Sequence, residues 1–164
     1  MSVTLPRQKI TPFLWFNTQA EEAARFYVSV FPNARITAIT HYSDAGPLPT
    51  GTVMTVAFEL DHQTFTALNG GPHFKFSEAI SFQVYCKDQA EVDYYWDKLS
   101  EGGDPAAQQC GWLKDKFGLS WQVVPTAWFA MLEGADPAGV ERATAAMFQM
   151  KKLDIAALQK AYDG

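Results

Sequence analysis

Polar and apolar side chains alternate most cleanly between Ala79 and Cys86, where Ile80, Phe82 and Val84 fall on one face of an extended chain and Ser81, Gln83 and Tyr85 on the other. An apolar face of that kind packs under a helix and leaves its semi-polar reverse free to line a binding cleft. The same period sets Ser120, Gln122 and Val124 against Leu119, Trp121 and Val123. Further β-rich runs lie at 10–16, 34–42, 52–60 and 63–69, the last two joined as a hairpin through Asp61-His62, with short extended pieces at 105–110 and 111–113. Helical spacing appears instead at Ala20, Ala23, Ala24, Tyr27, Val30 and Phe31, and again at Val92, Tyr95, Trp96 and Leu99. Thr18 with Glu21 three residues on predicts a capping box for the first helix, and Asp88 predicts the N-cap of the second.

These elements run strand, helix, strand, strand, strand, break at Gly70-Gly71-Pro72 near the start of the hinge 67–88, and then repeat in shortened form. The expected fold is α+β, with two βαβββ modules at 8–70 and 71–126. A helical extension follows at 127–164, with Asp136-Pro137 opening one helix, Val140, Ala143, Met147 and Met150 as its stripe, and Asp154 opening another. The segment 43–51 is rich in turn formers and too long for a tight hairpin, which predicts a mobile flap or a partly disordered loop.

Composition narrows the function more than the fold. The chain has 164 residues with 48% hydrophobic and 14% aromatic content, enough for a buried interior. A net charge of −5 with scattered Lys and Arg argues against nucleic acid as a partner. No apolar run approaches membrane-spanning length and no secretory leader is evident, so a cytoplasmic protein without a membrane partner is expected. Cys86 and Cys110 lie far apart without CxxC spacing, and both are expected to be reduced, half-buried thiols.

The segments ITPFLWFNTQAEEAARFYVSVFP, FTALNGGPHFKFSEAISF, DQAEVDYYWDKLSEGG and CGWLKDKFGLSWQVVP resemble the vicinal oxygen chelate superfamily, and within it the PhnB-like branch often labelled 3-demethylubiquinone-9 3-methyltransferase. The resemblance spans about Gln8 to Val124. It implies that the two βαβββ modules form a curled mixed sheet around a shared cleft, often completed by a homodimer, and in the superfamily's metalloenzymes four cleft positions on the first, fourth, fifth and last strands hold a divalent ion. Those positions fall here near Pro12, Ala67, Ser81 and Gln122, none of them His, Asp or Glu. A divalent ion needs several imidazole or carboxylate donors, so no metal is expected at that position. The label's chemistry is equally unsupported, because Asn69-Gly70-Gly71-Pro72 leads into an irregular segment and no Gly-rich strand-to-helix turn is present to hold S-adenosylmethionine. No cofactor is expected.

The expected ligand cleft is lined by Phe65, Asn69, Ser81, Gln83, Tyr85, Trp112 and Gln122. Each has a plainer alternative: Gln122 satisfying a neighbouring strand, Asn69 serving the Gly-Gly turn, the tryptophans filling a core. The leading reading is a homodimeric small-molecule-binding protein. Its competitors are an enzyme of the glyoxalase or dioxygenase type, an isomerase using His73 or Tyr85 as its acid-base group, and a partner-binding domain that works through its helical tail.

Overall fold

The structure, a computed structural model, describes residues 8–164. The chain divides between Lys75 and Phe76 into two compact units. In the first, β1 (Phe13–Phe16), α1 (Ala20–Val30), β2 (Arg35–His41), β3 (Val53–Leu60) and β4 (Gln63–Asn69) build a four-stranded sheet in the order β1-β4-β3-β2. β1 runs parallel to β4 and the other pairs are antiparallel. Ala20, Ala23 and Ala24 have no exposed surface, so their small side chains let α1 lie close on the sheet, while Tyr27, Phe58 and Phe65 stack in series beneath it. Asp61 and His62 both adopt positive φ, 44° and 70°, the left-handed geometry that a two-residue hairpin demands.

Two expectations for this unit need correction. The Thr18 capping box does not form: α1 starts at Ala20 behind Gln19, which makes no side-chain cap. Instead the Ala20 amide donates to Asn69 Oδ1 at 2.8 Å, because the parallel register sets Asn69 opposite Phe16, where the chain turns into the helix. The segment 43–51 is likewise a hydrogen-bonded turn rather than an open loop. Gly46 donates to the Ser43 carbonyl, Thr50 Oγ1 to Asp44 Oδ1, and Gly51 to the Tyr42 carbonyl.

The second unit contains β5 (Ser81–Cys86), α2 (Gln89–Ser100), β6 (Trp112–Lys114), β7 (Ser120–Pro125), α3 (Thr126–Leu132), α4 (Pro137–Met147) and α5 (Ile155–Asp163). Its sheet runs β5-β7-β6, with β5 parallel and β6 antiparallel to β7. The repeat therefore lacks the strand expected at 105–110. Asp104 caps a 3-10 turn at Pro105–Ala107 through the Ala106 amide, and only an isolated bridge between Gln109 and Trp112 remains of the ladder. Asp88 caps α2 as expected, accepting from the Glu91 amide, and Glu91 reaches back to the Lys87 amide.

The C-terminal helices belong to this second unit. Trp128, Met131, Ala143, Leu153 and Leu158 gather with Val124 of β7 into one apolar cluster. The link is also polar: Cys110 and Gly111 donate to the carbonyls of Met150 and Lys151, and the Gln89 side chain joins the Leu153 carbonyl to the Ile155 amide. Leu158 is wholly buried, so Leu158→Ala should lower the unfolding free energy by about 3 kcal/mol, read from the shift of the urea midpoint. Among the described residues no helix is long and apolar enough to cross a membrane.

Candidate functional site

α2 covers one face of the second sheet, and the register decides which residues are left on the other. Phe82, Val84, Cys86, Leu113, Trp121 and Val123 turn towards Val92, Trp96 and Leu99. The helix-free face carries Ser81, Gln83 and Tyr85 from β5, Trp112 and Lys114 from β6, and Ser120, Gln122 and Val124 from β7. Five of the residues expected to contact a ligand thus share one surface: Ser81, Gln83, Tyr85, Trp112 and Gln122.

Phe65 and Asn69 do not join them. Both point into the interior of the first unit under α1, at 6% and 7% exposure. Asn69 is fully used there, accepting from Ala20 and donating to the Val53 carbonyl at 3.1 Å. The alternation along β4 is opposite to the one the expected cleft required, because α1 occupies the Phe65, Ala67 and Asn69 side. The outward residues of that strand are Thr64, Thr66 and Leu68.

On the second sheet the polar groups are linked. Gln122 Nε2 donates to Ser81 Oγ at 2.8 Å, and Gln83 Nε2 reaches Gln122 Oε1 at 3.4 Å. Ser81 accepts in this chain, so its own proton is left to donate outwards, and the Gln83 carbonyl oxygen can accept. Lys114 forms an ion pair with Glu78, and that hydrogen bond, helped by Glu78's own amide, holds the Glu78 carboxyl below the usual carboxylate range. Tyr85 stands at the opposite end, 62% exposed, its ring 5.5 Å from that of Phe129. Ser120 shares the face of Gln122, as the alternation along 119–124 predicts, and Lys114 and Phe129 are further neighbours not expected from the sequence. The parity of Lys114 with Trp112 is the sequence signal for the first of these.

The site's framework is a buried carboxyl. Asp115 is 2% exposed, and its Oδ1 accepts from the Phe117 and Leu119 amides at 2.8 and 3.1 Å while Oδ2 accepts from Trp121 Nε1 at 2.9 Å. It thereby closes the β6–β7 turn and fixes the register that places Trp112 beside Gln122.

These donors do not fit a divalent ion. The helix-free face offers an amide pair and a hydroxyl, neutral groups that replace a hydration shell poorly. Among the described residues no three His, Cys, Asp or Glu side chains converge, and Ala67 faces α1. The Gly70-Gly71 turn does not cradle phosphate either. Its amides are spent on the Phe16 and Asn17 carbonyls, and a Cβ at Gly70 would collide with the Trp15 indole, which itself donates to the Gly71 carbonyl. His73 is exposed in the connection that follows.

Nor does the Cys86 thiol offer a nucleophile. Cys86 is fully buried rather than half-buried, and burial, reinforced by Glu91 and Asp88, pushes its thiol up to about 12. At pH 8 only about one molecule in ten thousand would carry the thiolate. Iodoacetamide should therefore label Cys110 in the native protein and Cys86 only after unfolding, a difference that peptide mass mapping reads directly.

A profile of the family described as 3-demethylubiquinone-9 3-methyltransferase matches residues 8–124. A solved structure described as a putative 3-demethylubiquinone-9 3-methyltransferase, PhnB protein, from Bacillus cereus is 38% identical, with a TM-score of 0.63 over 72% of this chain and 99% of that one. A Pseudomonas aeruginosa protein is 21% identical with a TM-score of 0.57, covering 72% of this chain and 97% of that one. The fosfomycin resistance protein FosX from Mesorhizobium loti is 15% identical with a TM-score of 0.50, covering 73% of this chain and 91% of that one. At that identity the last two speak for the fold alone. No curated protein matches.

Proposed function

Because the chain belongs to the family described as 3-demethylubiquinone-9 3-methyltransferase, which has the vicinal oxygen chelate fold, we propose that it binds a small molecule on the helix-free face of its second sheet without a metal ion. The observation that carries this reading is the Gln83, Gln122 and Ser81 chain, a run of amides and a hydroxyl that contains no imidazole or carboxylate donor. Such groups recognise a polar substituent by hydrogen bonding, and the flanking rings of Trp112 and Tyr85 supply apolar contact area. The family's descriptive name gives no support for methyl transfer, since the amides of the Gly70-Gly71 turn are spent on the Phe16 and Asn17 carbonyls and are not free to hold S-adenosylmethionine.

Gln122 carries the prediction. Gln122→Ala removes the donor to Ser81 and the acceptor for Gln83 together, and should weaken ligand binding about tenfold or more while leaving the fold intact. Titration of the wild type and the variant with 2-naphthamide, followed by tryptophan fluorescence, is the test. Equal affinities for the two proteins would rule out this face as the binding surface.

A further inference from the structure

Ser120 is the clue to what kind of molecule the face takes. It is 1% exposed, and among the described residues its Oγ is the buried side-chain oxygen without a hydrogen-bond partner. An unpaired buried hydroxyl is costly and therefore uncommon in a settled interior. The register sets it between Ser81 on β5 and Lys114 on β6, all three on the helix-free face. Lys114 is the charged position of that face. Its ammonium is engaged by Glu78, which approaches from the segment before β5 and is itself 65% exposed in its side chain. A protein carboxylate therefore occupies the place where an external one would be held, on a residue, Lys114, paired in register with the one whose hydroxyl still lacks a partner.

The opposite end has different chemistry. Four residues further along β5, roughly 13 Å away, Tyr85 packs beside Phe129, and Val124 is covered by the tail cluster. The face is thus cationic and hydroxyl-bearing at one end, amide-lined with Trp112 in the middle, and closed by an aromatic wall at the other. Phe129 lies beyond residue 124, where the family match stops, while Tyr85 lies within it.

We infer that the ligand is an aromatic or apolar anion, its carboxylate taken by Lys114 and Ser120 in exchange for Glu78 and its ring system lying over Trp112 towards Tyr85 and Phe129. This inference rests on the binding face proposed above and adds the charge, the orientation and the length limit. A charge-assisted hydrogen bond to a carboxylate is about twice as strong as a neutral one, so the charge is the feature to isolate. Glu78 competes for the same ammonium, and its removal relieves that competition.

The test compares 2-naphthoate with 2-naphthamide, which share a ring system and differ in charge, by calorimetric titration of the full chain. In the wild type naphthoate should bind about tenfold tighter than naphthamide. Lys114→Gln should abolish that preference while leaving the naphthamide affinity in place, and Glu78→Gln should raise the naphthoate affinity. Ser120→Ala should weaken naphthoate alone without lowering the thermal midpoint, since the hydroxyl forms no bond in the free protein. Equal binding of the two probes, with both weakened by Gln122→Ala, would overturn the anion assignment and spare the binding face. Binding of neither probe, or binding indifferent to Gln122 and Lys114 alike, would overturn both.

Discussion

Asp115→Ala is expected to lower the unfolding free energy by about 3 kcal/mol or more. The variant strands three donors at once, the Phe117 and Leu119 amides and the Trp121 indole, in a place where the residue they converge on is 2% exposed. Each unsatisfied buried donor costs about 1–3 kcal/mol. Graded variants separate the contributions. Asp115→Asn keeps an acceptor for the two amides but turns an NH2 group towards the indole N–H, and should fall between wild type and Asp115→Ala. Trp121→Phe removes the indole donor together with its need for a partner, so its loss reflects mainly the altered packing. Urea unfolding followed by circular dichroism gives the order, and a loss below about 1 kcal/mol for Asp115→Ala would show that the carboxyl does not hold the turn.

Asn69→Ala is the second large effect, at about 2–3 kcal/mol. Asn69 is the cap that α1 lacks locally, and the same side chain donates to the Val53 carbonyl, so truncation frees a helix N-terminal amide and a strand carbonyl together. Asn69→Asp is the informative companion. It retains the acceptor, now with a charge favoured by the helix N-terminus, but sets an oxygen against the Val53 carbonyl. Thr18→Ala, which the sequence alone marks as the cap mutation, should change stability by no more than about 0.5 kcal/mol. A reversal of that ranking would mean that the capping box forms after all.

The contrast between Thr18 and Asn69 shows where the sequence is readable. Helix faces and strand alternation depend on neighbours a few residues away, so Ala20 to Val30, Val92 to Leu99 and Ser81 to Tyr85 could be assigned by spacing alone, as could the cap at Asp88. The cap of α1 comes from a residue 49 positions downstream, and no local pattern encodes that. β4 was misread for a related reason. In QTFTALN both faces mix polar with apolar residues, and only the placement of α1 tells that Phe65 and Asn69 face inwards while Thr64, Thr66 and Leu68 face out. The missing strand of the second module was hidden by Asp104-Pro105, which suits a 3-10 turn as well as an edge strand. Lys114 and Glu78 read separately as ordinary surface charges, and their pairing needs the fold.

The tail illustrates the same limit from the other side. Val140, Ala143 and Met147 gave its amphipathic stripe, yet its role depends on contacts with Cys110, Gly111 and Gln89 far earlier in the chain. Those contacts make the helices part of the second unit's interior and place Phe129 against Tyr85.

The most direct test of a metal-free binding face is a titration of isotopically labelled protein with 2-naphthoate in the presence of EDTA, followed by nuclear magnetic resonance. The account predicts shifts concentrated at the side-chain amides of Gln83 and Gln122 and the indole N–H of Trp112. Silence at those three groups until a divalent ion is supplied would contradict it.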